Sequence, residues 1–308
     1  MSDERIPSHI LGFFVANPRI GRDMLAKKAG ISNQEARFYC KLFKIQHTDV
    51  KIKDVGIAIW DLHHPYYSKP CFNCLLQVIE DIKPSIFIMG GDNMDFNTIS
   101  TYNRNKPKLV EGSRIGKDYK NFASDILIPL NNVLSYGCDK YFLYGNHEER
   151  IDRLIEAEPK LEGLIEIENN LDLSGWTIKK YKDVLKLGHM HFSHGLYWNK
   201  YHAYKTVTIY QKNIFYGHVH NPQSYTSISP IDSLPKQGVS VGCMCSLNPE
   251  YRKDEPNHWV NQFMVFYIMS DGTFRYDTPT VIYGRTIVNG KLYDGNEDVC
   301  DDKAEDSE

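Results

Sequence analysis

Apolar residues in this chain come in short runs, and several of the runs end at a residue able to bind a cation. The stretch Lys53-Asp54-Val55-Gly56-Ile57-Ala58-Ile59-Trp60 has the length and composition of a buried strand and runs into Asp61. A helix over 72–82 leads to a strand over 85–89 and on to Asp92. A helix over 121–136 leads to a strand over 140–144 and on to Asn146, and a further helix is predicted over 148–158. Beyond residue 184 the apolar stretches read as strands: 184–193 ending at His194, 213–216 ending at His218, then 238–243 and 259–269, with a Ser270-Asp271-Gly272 turn into 273–277. Helices concentrate early and strands late, and no internal repeat is visible, so the pattern predicts an α/β fold.

Residues 1–48 read as a separate helical segment. Within it, Leu25 to Arg37 resembles a helix-turn-helix: Ala26 is small enough for two helices to cross, Gly30 suits a left-handed turn, and Ser32 with Glu35 three residues on forms a capping box. If the segment reads DNA, Asn33, Gln34 and Arg37 begin the recognition helix. A turn of this kind also occurs in small bundles that bind protein or nothing.

The chemistry lies in five blocks: Asp61-Leu62-His63, Gly91-Asp92-Asn93-Met94-Asp95, Gly145-Asn146-His147-Glu148, Ser193-His194-Gly195 and Gly217-His218-Val219-His220. Each sets carboxylate, amide or imidazole ligands just after an apolar run, where a strand delivers them to the rim of a sheet. One such block means little; five in this order read as a two-metal phosphoesterase site.

These blocks resemble the D-x-H, GD-x-x-D, GNH-E/D, H and GH-x-H pattern of the calcineurin-like metallophosphoesterase superfamily; the resemblance covers roughly residues 54–285, within a domain expected over 54–290. The resemblance implies a two-sheet α/β sandwich flanked by helices. It implies one metal held by Asp61, His63, Asp92 and His220, and a second by Asp92, Asn146, His194 and His218, with Asp92 as the bridge. Two divalent ions at such spacing hold a bridging hydroxide in line with phosphorus and neutralise the developing charge. Mn2+ is the first choice, with Zn2+, Fe2+ or Ni2+ as alternatives. The resemblance also puts His147 where it can protonate the leaving oxygen, oriented by Asp95.

Composition is that of an ordinary globular chain, and seven scattered cysteines fit a reducing compartment. No apolar run is long enough to span a bilayer, and MSDERIPSHILGFF lacks the features of a signal peptide, so a cytoplasmic location is expected. Cys71 with Cys74 and Cys243 with Cys245 invite a structural zinc site, but packing of buried thiols is the expected reading. Net charge is −3, yet eight acidic residues against one lysine fall in the stretch from Asp294 onward, so an acidic tail is expected over 291–308 and the body is mildly basic.

Two segments interleave cations with aromatics, as stacking on a phosphodiester backbone requires. Residues 96–120 carry Arg104 and five other cations with Phe96, Tyr102 and Tyr119, and residues 197–205 include Trp198 and Lys200. Arg104, Tyr102, Trp198 and Lys200 are therefore the candidate substrate contacts. Phe96 after Asp95 and Tyr144 before Gly145 stand where protein Ser/Thr phosphatases of the superfamily carry phosphate-gripping arginines, although Arg150 or Arg104 could replace them. The first expectation is thus a phosphodiesterase or nuclease acting on nucleic acid. The alternatives are an enzyme for nucleotides or other small phosphoesters, and a DNA- or protein-binding adaptor with a structural metal site. His64 either touches substrate or faces water.

Overall fold

The computed structural model describes residues 6–17, 19–47, 50–103, 105, 107–229, 234–249 and 255–296. The chain divides into two compact units, Met1–Lys51 and Ile52–Glu308.

The first unit holds helices α1 (Ser8–Ala16), α2 (Arg22–Ala29) and α3 (Asn33–His47). Its core is Ile6, Ile10, Phe14, Ile20, Leu25 and Ala36, all buried. The turn forms as its residues dictate. Gly30 ends α2 at φ 68°, a conformation a side chain resists. Glu35 then accepts from Ser32 N at 2.9 Å while Ser32 Oγ accepts from Glu35 N at 3.2 Å, closing the capping box. Asn33, Gln34 and Arg37 are exposed on the first turns of α3, and Ala36 faces inward.

The second unit is a mixed α/β structure with two main sheets flanked by helices. In chain order its elements are β1 (Ile52–Ile59), α4 (Lys69–Ile82), β2 (Ile86–Met89), α5 (Ile115–Phe122), α6 (Ile128–Val133), β3 (Asp139–Leu143), α7 (Glu149–Ala157), α8 (Ile167–Asn170) and β4 (Trp176–Lys179). There follow β5 (Leu185–Leu187), β6 (Met190–Phe192), α9 (His202–Tyr210), β7 (Asn213–Tyr216), β8 (Gln223–Ser227), β9 (Lys236–Ser240), β10 (Met264–Met269), β11 (Phe274–Asp277), β12 (Arg285–Val288) and β13 (Lys291–Asp294). The first sheet has the order β11-β10-β1-β2-β3-β4 and the second β5-β6-β7-β9-β8. In the first, β1 to β4 run parallel; in the second, β6, β7 and β9 do.

Strand periodicity explains the layering. Along β1 and β2, Ile57, Ile59, Phe87 and Met89 face one way and join the core that α4 and α6 cover. Ala58, Trp60, Ile86 and Ile88 face the other way and meet Met190, Phe192, Phe215 and Val239 of the second sheet. Trp60 Nε1 donates to Ser193 O at 2.9 Å, which ties the rims of the two sheets together beside the candidate ligands.

Several expectations need correction. The single helix over 121–136 is instead α5, a π-helical turn Ala123–Leu127 and α6, because Pro129 supplies no N–H in the first turn of α6. That turn brings Asp125 Oδ2 within 3.1 Å of His64 Nε2, so His64 is buried against a carboxylate and does not face water. Residues 202–205 of the 197–205 segment begin α9. Strands β4, β8, β12 and β13 were not expected; β8 is a polar edge strand and the rest are only four residues long. Residues 291–294, assigned to the acidic tail, pair with β12. Residues 297–308 lie outside those described. No helix among the described residues is long and apolar enough to cross a membrane.

Candidate metal centre

All five blocks converge on one rim. Asp61 and His63 follow β1, Asp92 follows β2, Asn146 follows β3, His194 follows β6, and His218 and His220 follow β7. They are the carboxyl ends of parallel strands from both sheets, where α/β folds place ligands.

The backbone there is strained. Asp61, His63, Asp92, His218 and His220 all have positive φ, between 50° and 71°. Each costs about 1–2 kcal/mol for a residue with a Cβ. Main-chain bonds hold the turns in that shape: His63 N donates to Asp92 O at 2.8 Å, and Asp61 N to Gly91 O at 3.0 Å. Two glycines make room for carboxylates. A Cβ at Gly145 would stand 2.1 Å from Asp92 Oδ1, and one at Gly217 would stand 2.3 Å from Asp61 Oδ2. So many strained positions on one rim point to function rather than stability.

Among the described residues, four overlapping groups have ligand atoms close enough to share one ion: Asp61 with His63 and His220, Asp92 with His194 and His218, His63 with Asp95 and His147, and His220 with Cys243 and Cys245; the first two match the expected ligand sets. In the first, His220 Nε2 is 3.5 Å from Asp61 Oδ1 and 3.1 Å from His63 Nε2. In the second, His194 Nε2 is 3.2 Å from Asp92 Oδ2, 3.3 Å from His218 Nδ1 and 3.1 Å from Asn146 Oδ1. Asp92 Oδ2 is also 3.7 Å from His63 Nε2, so one carboxylate oxygen reaches both groups.

The donor set fits divalent cations. Asp61 Oδ1 is fully buried with no hydrogen-bond partner, although imidazoles surround it. Burial opposes charge on His63, but the Asp95 hydrogen bond and the charges of Asp92, Asp95 and Asp61 outweigh it and push the ring up to about 9. Against the same burial, Asp92, Asp61 and Glu148 push His194 up to about 9. Burial raises Asp92, yet the charges of His147, His194 and His63 hold it well below the usual carboxylate range. Two protons thus stand where two cations would relieve the same carboxylates.

His147 is placed differently from expectation. Its Nδ1 donates to the main-chain oxygen of Asp95 at 2.8 Å, whereas the Asp95 carboxylate is 3.6 Å away and bonds His63 Nδ1 at 3.2 Å. The Asp95 carboxylate therefore orients His63, and its carbonyl orients His147. Arg150 donates to Asp95 O at 2.7 Å and to His147 Nε2 at 3.1 Å. Burial, helped by the charges of His63 and Arg150 and opposed by Asp92 and Asp95, holds His147 down to about 4.

Glu148 was given no part by the sequence beyond its place in the third block. It is fully buried, and its carboxylate accepts from four backbone N–H groups: Asn93 at 2.7 Å, Met94 at 3.1 Å, Asp92 at 3.0 Å and Gly145 at 2.7 Å. It clamps the turn bearing Asp92 to the turn bearing Asn146. Burial and the charge on Asp92 push it up to about 7, against these donors. Trp259, also missed, packs its ring 4.3 Å from that of His220, and no motif marks it.

The candidate substrate contacts divide. Trp198 stands 6.2 Å from the His218 ring, and Lys200 lies two residues on, over the Tyr201 ring. Arg104 and the side chain of Tyr102 lie outside the described residues. Phe96 and Tyr119 are buried against one another, 5.5 Å apart, and do not present rings for stacking. The four cysteines of the supposed zinc site are buried thiols; Cys245 Sγ is 3.8 Å from His220 Nδ1, the sulfur behind a candidate ligand.

No family model and no curated protein matches the chain. Among solved structures, Vps29 of Entamoeba histolytica complexed with Zn2+ is similar at 13% identity and a TM-score of 0.41, over 79% of this chain and 99% of that one. Vps29 of Cryptosporidium parvum is similar at 12% and 0.41, over 79% and 96%, and Vps29 of Chaetomium thermophilum at 12% and 0.35, over 73% and 97%.

Proposed function

We propose that the chain is a two-metal phosphoesterase of the calcineurin-like class, acting on phosphodiesters of nucleic acid, with Mn2+ as its preferred ion. The observation that carries the reading is Asp92, whose Oδ2 reaches both His63 and His194 and so can serve two ions at once. The residues supporting one ion are Asp61, His63, His220 and Asp92, and those supporting the other are Asp92, Asn146, His194 and His218. When bound, such a pair supplies an activated water and neutralises charge on the phosphate oxygens.

The chain's own groups do the rest. Glu148 and the positive-φ turns hold the ligand carboxylates before any ion arrives, which is preorganisation. Arg150 brings a cation to the centre, 3.8 Å from Asp95 Oδ1. In the resting arrangement its guanidinium occupies His147 Nε2. An anionic phosphate drawing those N–H groups to itself leaves Nε2 to carry a proton, and the added negative charge favours the protonated ring. His147 then gives that proton to the leaving oxygen while its Nδ1–H stays on the Asp95 carbonyl.

The test uses the leaving group. His147→Ala should cost on the order of 10²–10⁴-fold on a diester with an alkoxide leaving group and far less on a nitrophenyl diester, which needs no proton. Equal losses on both would remove His147 from that role. Arg150 keeps a second reading alive, because a guanidinium at this place also suits a phosphate monoester dianion. A kcat/KM higher for nitrophenyl phosphate than for its diester would favour that reading.

A further inference from the structure

A cleft of about 650 Å³ opens beside the turn that carries His218 and His220. Its lining includes Trp198, Lys200, Val219, Asn221, His258 and Trp259. Two indoles therefore border a space that is also lined by Val219, the residue between two candidate metal ligands. Trp198 is set against His218, with 76% of its surface exposed, and Trp259 is set against His220.

Three features define what fits. The volume lies in the range of small-molecule sites. The two large aromatic surfaces suit a planar ring, and the carboxamide of Asn221 offers both a donor and an acceptor for a heteroaromatic edge. Lys200 adds positive charge to the lining, which complements a phosphate. We propose that this cleft is the base subsite: it receives the nucleobase attached to the scissile phosphate, with Trp198 and Trp259 as its stacking surfaces. The assignment rests on the phosphodiesterase reading above and adds to it a nucleoside, not a simple alkyl or aryl group, as the recognised part of the substrate.

The test compares thymidine 5′-(p-nitrophenyl phosphate) with methyl p-nitrophenyl phosphate, which share the bond broken and the leaving group and differ in the nucleoside. The Mn2+-loaded wild type should favour the thymidine ester in kcat/KM by roughly 5- to 150-fold, the range of one base–aromatic stack. Trp198→Ala and Trp259→Ala should each lower that ratio severalfold. The ratio cancels any general damage that Trp259→Ala does to the centre. A ratio near one in the wild type, or a ratio unchanged in both variants, overturns the subsite. If neither ester is cleaved, the hydrolytic reading falls and calorimetry decides the subsite separately. Thymidine 5′-monophosphate must then bind the wild type more tightly than methyl phosphate does, and must lose that advantage in Trp198→Ala. Equal binding of the two overturns it.

Discussion

Stripping the centre of cations should make the protein lose stability as pH rises, and the structure gives the size of the effect. His63 and His194 sit at about 9 in the folded chain, against 6.5 for a free imidazole. A group whose folded pKa is raised contributes stability that is fully present below the unfolded value and is lost as pH climbs through the folded one. The window is therefore about 6.5 to 9. Each ring is shifted by about 2.5 pH units, worth roughly 3 kcal/mol at about 1.4 kcal/mol per unit. Asp92 and Asp61 attract both protons, so the two contributions share a source and sum to roughly 3–7 kcal/mol. For a unit of this length that is a fall in Tm on the order of 6–28 °C. The assay is thermal unfolding followed by circular dichroism in chelator, in steps from pH 6 to pH 9.5, with His63→Gln and His194→Gln subtracting titrations elsewhere. With Mn2+ present the trend should reverse or vanish, because ions need neutral imidazoles and bind better as protons leave. A chelated wild type whose Tm stays level or rises across the window would refute the reasoning, since the carboxylates would not then be holding charge on these rings.

Asp92→Asn should abolish hydrolysis and lower metal stoichiometry more than Asn146→Ala does, because Asp92 Oδ2 faces the Nε2 atoms of both His63 and His194; near-normal turnover with two tightly held ions would remove it as the bridge. Glu148→Ala should lower both Tm and metal affinity. Four orphaned N–H groups at ~1–3 kcal/mol each outweigh the ~3 kcal/mol regained by removing a carboxylate held at about 7, and a Tm at or above wild type would show that the clamp is unimportant. Arg37→Ala with Lys27→Ala should flatten the salt dependence of DNA binding if the first unit contacts phosphates; an unchanged slope would assign that unit another role.

The cluster of candidate ligands was legible because metal chemistry restricts residue type and spacing. Asp61, His63, Asp92, Asn146, His194, His218 and His220 each follow a strand end that apolar runs announce, and the structure gathers all seven. The capping box at Ser32 and Glu35 was legible for the same reason: a short-range bond has a short-range signature. What escaped depends on distant contacts. That Asp95 bonds His63 through its carboxylate and His147 through its carbonyl follows from the angle at which two turns meet, which no spacing records. Trp259 lies thirty-nine residues beyond His220 and reaches it only through folding. Glu148 was visible within its block, but its four donors come from turns after two different strands. Phe96 and Tyr119 misled because an aromatic among cations looks the same whether it stacks on a base or packs into a core.

The most direct test of the two-ion centre is electron paramagnetic resonance of the full chain titrated with Mn2+. Two equivalents should bind, and the second should produce the spectrum of an exchange-coupled pair, which Asp92→Asn reduces to that of isolated ions. One equivalent, or two ions that remain magnetically isolated in the wild type, would contradict a centre bridged by Asp92.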